Sequence, residues 1–215
     1  MAAVYMYVVD RDVGFAPNPF HGYCTLATCK PGIRSTAQVG DWVVGMGGKN
    51  LGATGRCVFA MKVTDKIDFQ EYWINRRYIT KRPVRNGSNL RLVGDNIYHR
   101  ESGSSEWQQA DSHHSKQDGA PNPVNVRNDT KSDKVLISEH FLYFGEEAPT
   151  VPADLLKAIG FTNRIGHRRF DNEPSKKLIA WLYATFSRSL NQVVADPFQF
   201  DQTEKRYPGK GSKLI

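Results

Sequence analysis

The sequence predicts an α+β fold in which early strands form a curved sheet or small β-barrel beneath a C-terminal helical cover. Three observations carry that expectation. Strand-like runs crowd the first 64 residues, the one long amphipathic run stands late, at 174–190, and no repeat, heptad or β/α alternation lies between them. The chain has 215 residues, 40% of them hydrophobic and 24% charged, which excludes wholesale disorder and suits a single domain over 1–215.

Val4-Tyr5-Met6-Tyr7-Val8-Val9 is β-branched and aromatic and reads as a strand with at least one buried face. Prolines and glycines between Phe15 and Gly22 exclude regular structure there. Residues 23–28 form a second strand candidate, stopped by Pro31-Gly32. A turn at Gly40-Asp41 feeds an apolar strand through Val44, and Arg56–Thr64 alternates well enough to be its hairpin partner. Asp68-Phe69-Gln70-Glu71 has the spacing of a capping box and should open a short helix through Ile74. Residues 101–133 are polar and aperiodic and are expected as an exposed loop, with His113-His114 solvated within it. Strands are expected at 134–138 and 141–145, a short helix at 152–157, and a helix from Pro174 capped by Asp171 or Asn172. A basic tail, 201–215, closes the chain.

No apolar stretch approaches 18 residues and the N-terminus lacks a signal-peptide pattern, so no membrane partner is expected. Three cysteines make no disulfide framework, which points to a reducing cytoplasm. The net charge of +7 lies wholly in residues 1–100, where 14 Lys and Arg face 7 Asp and Glu. Within 76–100, Arg76, Arg77, Lys81, Arg82, Arg85, Arg91 and Arg100 face only Asp95. One-signed surfaces concentrate polyanions, so nucleic acid is the leading partner class, with Arg76, Arg77, Lys81, Arg82 and Arg85 as backbone contacts.

Gly40-Asp41-Trp42-Val43-Val44-Gly45, with Gly55 to Val63, resembles the core of PUA, ASCH and EVE-type barrels. That resemblance implies a small barrel that binds RNA or flips modified bases into a pocket. A longer likeness covers most of the chain. Tyr7-Val8-Val9-Asp10, Asn18-Pro19-Phe20, Cys24 to Arg34, the Gly-Asp-Trp turn, Asp95-Asn96-Ile97-Tyr98 and Val135 to Gly145 resemble the nucleotide modification associated domain of the second type. The family stands beside DNA-modification genes in bacteria and their phages. The resemblance implies a bacterial setting of DNA modification or phage defence, with DNA ahead of RNA as partner, and names no reaction.

The stretch from Asn18 to Arg34 gathers an amide, an imidazole, a phenol, thiols and two cationic groups. Lys30 and Arg34 suit a phosphate, Phe20 and Tyr23 a stacked base, and Asn18 a base edge, with Asp41 and Trp42 shaping the floor. Asp10, His21 and Cys24 are the candidates for catalysis. His21, Cys24, Cys29 and Cys57 would make a four-ligand zinc set, but Cys24 and Cys29 point to opposite faces of a strand and no CxxC pair exists, so no metal is expected. No phosphate-loop or dinucleotide fingerprint is present and no cofactor is expected. Two readings stay open. One is a binder of modified or unusual nucleic acid, with an aromatic and polar pocket beside a basic rim. The other is an enzyme acting on a nucleotide or nucleobase, of transferase or glycosidase type.

Overall fold

Runs that are apolar without alternation become strands covered on both faces. The computed structural model describes residues 2–209 and 214–215, and the elements below are numbered along the chain. Residues group into two compact units, interleaved in sequence: the first holds the chain up to Asp12, Ala37–Asp65 and Ser138–Phe198, the second Val13–Thr36, Lys66–Ile137 and the chain from Gln199.

The first unit is built on a five-stranded sheet in the order β10-β1-β3-β4-β9, from β1 (Val4–Val9), β3 (Trp42–Gly47), β4 (Cys57–Lys62), β9 (Phe141–Tyr143) and β10 (His167–Phe170). β1 runs parallel to β3, with Val4 opposite Trp42, while β3 and β4 form the expected antiparallel pair, Trp42 opposite Lys62. The ladder slips between Gly45 and Met46, and a Cβ on Gly45 would stand 2.1 Å from the Phe59 ring, so only glycine fits beneath that ring. α5 (Ala153–Ile159) ends at Gly160 in the left-handed conformation. α6 (Glu173–Phe186) opens on Asn172, whose side chain accepts from the Ser175 N–H. It seats Tyr183 against Trp42 of β3, ring centroids 5.6 Å apart, and buries Leu178 and Leu182.

The second unit contains β2 (Cys24–Leu26), α1 (Pro31–Thr36), β5 (Asp65–Asp68), α2 (Phe69–Ile74), α3 (Asn89–Leu92), β6 (Tyr98–His99), β7 (Gln108–Gln109), α4 (Pro123–Asp129) and β8 (Lys134–Ser138), except that Asp65 and Ser138 group with the first. Its sheets run β2-β8-β5 and β6-β7. Asp68 caps α2 as expected, its side chain accepting from the Glu71 N–H. Pro31 does not stop the chain but starts α1, because a proline in the first helical turn forfeits no hydrogen bond.

The fold is mixed α and β, and no sheet among the described residues closes into the expected barrel. No helix among them is long and apolar enough to cross a membrane. The segment 101–133 departs most from expectation. Residues 101–103 are exposed, but Ser112, His113, His114, Ser115, Asn125 and Asp129 are buried and β7 and α4 lie within it. Its polarity serves an interior of mutual hydrogen bonds: Asn125 Nδ2, for example, donates to His114 O at 2.8 Å. The expected basic tail is likewise partly interior. Arg206 is buried and paired with Asp111, its N–H donating to Ile215 O at 2.7 Å, while Lys210 and Lys213 lie outside the described residues.

Candidate functional site

Most of the expected base pocket turns inward. Asn18 is fully buried; its Nδ2 donates to Val93 O at 2.7 Å. Lys81, expected on a basic rim, is fully buried too, and its three donors reach Asn18 O (2.9 Å), Asn18 Oδ1 (2.7 Å) and Tyr23 O (2.7 Å). An ammonium has three donors to satisfy, and this loop satisfies all of them. Burial pushes Lys81 down to about 8 and its neighbour Asp95 up to about 6. Asp95 is held by Thr25 Oγ1 at 2.7 Å and Tyr72 OH at 2.8 Å. Lys81 therefore pins the loop rather than meeting phosphate.

Arg34 is also interior. Its guanidinium donates to the carbonyls of Cys29 (2.8 Å), Ser132 (2.6 Å), Lys134 (2.7 Å) and Asp129 (2.5 Å), and burial lowers its proton affinity. Four of the five guanidinium N–H donors end on carbonyls and the side chain is fully buried, so no two-pronged fork faces a phosphate. Phe20 is buried against Phe200, ring centroids 5.5 Å apart. Tyr23 and Lys30 keep part of their surface, and the Arg77 guanidinium sits 5.5 Å over the Tyr23 ring. Asp41 and Trp42 belong to the first unit, where Asp41 accepts from the N–H of Ala3 (2.7 Å) and of Gln38 (2.9 Å) and so fixes the turn into β3.

The catalytic candidates also part company. Asp10 is exposed and accepts from Asn50 Nδ2 at 2.6 Å. His21 sits in the left-handed region at φ 60°, its Nε2 buried without a hydrogen-bond partner and its pKa lowered by burial and by Lys81 and Arg91. Cys24 is fully buried inside β2, closed to a substrate. Cys57 lies in the first unit, where burial pushes its thiol up to about 12.

The structure also brings together a thiol, an imidazole and a carboxylate that sequence spacing does not display. Cys29 is the only cysteine with surface. Its Sγ lies 3.7 Å from His114 Nε2, and His114 Nδ1 lies 2.8 Å from Asp129 Oδ2. Both His114 and Asp129 are buried, contrary to the solvated histidine pair expected. Burial alone would strip the proton from His114, but Asp129 and the sulfur outweigh it and hold the imidazole charged, up to about 10. Asp129 in turn is kept ionised against burial by His114, Arg34 and Tyr98. Tyr98 OH donates to Asp129 Oδ2 at 2.8 Å, and Phe15 packs 4.7 Å from the His114 ring.

Three donor atoms within 4.8 Å suggest a metal site. The donor set argues otherwise. Asp129 Oδ1 already accepts from the Cys29 N–H at 2.8 Å, and Oδ2 from Tyr98 and His114, so three of the carboxylate's four lone pairs are committed to holding its neighbours, and the cluster falls short of the four protein ligands of a closed zinc site.

The arginines of 76–100 lie in the second unit and face outward or half outward. Arg82 stacks over Trp73 at 3.8 Å, Trp73 stacks on His99 at 3.9 Å, and Arg100 covers Trp107 at 3.8 Å. Arg85 is half-buried, one arm donating to Glu204 O at 2.6 Å. A family model described as nucleotide modification associated domain 2 matches residues 1–204. The chain belongs to that family. Membership ties it to nucleotide modification, and with that to nucleotides or nucleic acid as the chemistry it meets. No curated protein and no solved structure matches it.

Proposed function

We propose that this member of the family binds nucleic acid, DNA ahead of RNA, through the arginine face of its second unit, and so serves nucleotide modification. One observation carries the reading. Between 76 and 100 the only carboxylate, Asp95, is fully buried, while Arg76, Arg77, Arg82, Arg85, Arg91 and Arg100 all retain surface. Guanidinium planes held on aromatic rings are preorganised forks for phosphate, and phosphate contacts dominate nucleic-acid affinity. Tyr23, in the same unit, extends the face beside Arg77.

Titration of DNA against salt tests this. Log affinity should fall linearly with log salt, about 0.9 in slope per phosphate contact. Charge reversal at the exposed pair Arg76 and Arg77 should lower the slope by about 2 and weaken all sequences alike. An unchanged slope removes the arginine face as the interface. Stronger binding to an RNA of the same length reverses the choice of polymer.

A further inference from the structure

Cys29 occupies a sharp strand-to-helix corner. β2 ends at Leu26, α1 begins at Pro31, and Cys29 and Lys30 between them take φ of 55° and 37°, a region few non-glycine residues enter. A nucleophile on a strained strand-to-helix turn is lifted out of the fold toward substrate. Here the strain is held by the other members of the cluster: the Cys29 N–H donates to Asp129 Oδ1 at 2.8 Å, and the Cys29 carbonyl accepts from Arg34 Nε at 2.8 Å. Arg34 also grips the Asp129 carbonyl, so one buried cation sets the thiol and the carboxylate together. Sulfur, imidazole and carboxylate then follow in the order nucleophile, proton carrier, orienting group.

We infer that the second unit holds a covalent acyl-transfer site: Cys29 attacks, His114 carries the proton, Asp129 positions His114, and the acyl group passes from an activated ester, thioester or amide to an amino or hydroxyl group of a nucleotide. With the proton on His114, Cys29 Sγ adds to the carbonyl carbon of R–CO–X. The C–X bond breaks, X leaves as HX with the Nε2 proton, and the thioester R–CO–S–Cys29 remains. His114 Nε2 then takes the proton of the acceptor H–Y as Y adds to the thioester carbon. The C–S bond breaks, R–CO–Y departs, and the sulfur and the charged imidazole are restored. Nothing is oxidised or reduced. Only the acceptor rests on the nucleic-acid reading above; the acyl-enzyme step stands apart from it.

The test uses the full chain with p-nitrophenyl acetate. The expected result is a burst of p-nitrophenolate near one per chain with an acetyl group on the Cys29 peptide by mass spectrometry, abolished in Cys29→Ala. His114→Gln should slow acetylation about 10²–10⁴-fold. Iodoacetamide reports folding in the same samples, because Cys24 and Cys57 are buried and react only in an unfolded chain. Acetylation confined to lysines, a burst that survives Cys29→Ala, or an unslowed His114→Gln with Cys24 and Cys57 protected overturns the site. Stoichiometric zinc lost on Cys29→Ala also overturns it. If His114→Gln exposes Cys24 and Cys57, the wild-type and Cys29→Ala pair decides alone. Added deoxynucleosides should then collect the acetyl group; acetate as sole product overturns the nucleotide acceptor. Loss of DNA binding with the burst intact strikes only the previous reading.

Discussion

In the first unit, β3 and β4 bury valine, methionine, alanine and phenylalanine, groups that ask for nothing beyond their backbone ladder. In the second, the interior holds Arg34, Lys81, Asp95, His114 and Asp129, each tied to named partners. All but Asp12, Asp41, Ser138 and Ser175 of the buried polar residues belong to the second unit. The apolar interior stabilises through area removed from water and tolerates change of shape. The polar interior gains little net energy while intact and loses much when one partner goes, because the others stay buried and unpaired. Robustness and chemistry are thus placed in different parts of the chain.

The sharpest break of this contrast is Arg34→Ala, which orphans the carbonyls of Cys29, Asp129, Ser132 and Lys134. It should cost about 3–5 kcal/mol in urea denaturation, with hydrogen-exchange protection lost first in α1 and α4. A cost below about 1 kcal/mol means water replaces the guanidinium and the network is not cooperative. In the first unit, Leu178→Ala on the buried face of α6 should cost about 2–4 kcal/mol and no more at one pH than at another.

The smallest effect is pH dependence. His114, raised from 6.5 to about 10, contributes stability that is complete below 6.5 and drains as pH rises toward 10. Asp95, half titrated at about 6, is almost fully ionised by about 7, and Lys81 works the other way as pH rises through about 8. Between pH 7 and 8 the His114 contribution, set by Asp129 and the Cys29 sulfur, outweighs those two. Stability should fall by about 1 kcal/mol there, and the fall should vanish in His114→Gln. A flat wild-type curve would mean that His114 is neutral in the folded state.

The two units also differ in how far sequence discloses them. Apolar runs gave β1, β3, β4, β8 and β9 near their true limits, and local chemistry gave the Asp68 cap and narrowed that of α6 to Asp171 or Asn172. β10 escaped because His167-Arg168-Arg169-Phe170 has no strand pattern; its pairing to β1 is tertiary. α4 escaped because its buried side chains, Asn125 and Asp129, are polar, so no apolar stripe announces it. The same blindness hid the reactive cluster. Cys29 lies 85 residues from His114, and His114 lies 15 from Asp129, so only the fold joins them. Two adjacent histidines in a polar stretch signal solvent by composition and a buried network by packing. Arg34 and Lys81 misled for a related reason: a cation's charge is legible in sequence, whereas its depth is not.

β10 is the outermost strand of the five-stranded sheet, and among the described residues β1 is its one ladder partner. The outer border of such a strand is a template on which a second chain could pair and polymers could grow. This strand carries His167, Arg168, Arg169 and Phe170. An approaching copy of that border would bring arginine against arginine, and like charges directly across a ladder oppose pairing. The poor strand former that sequence patterns overlook thus sets like charges where an outer strand would otherwise invite pairing.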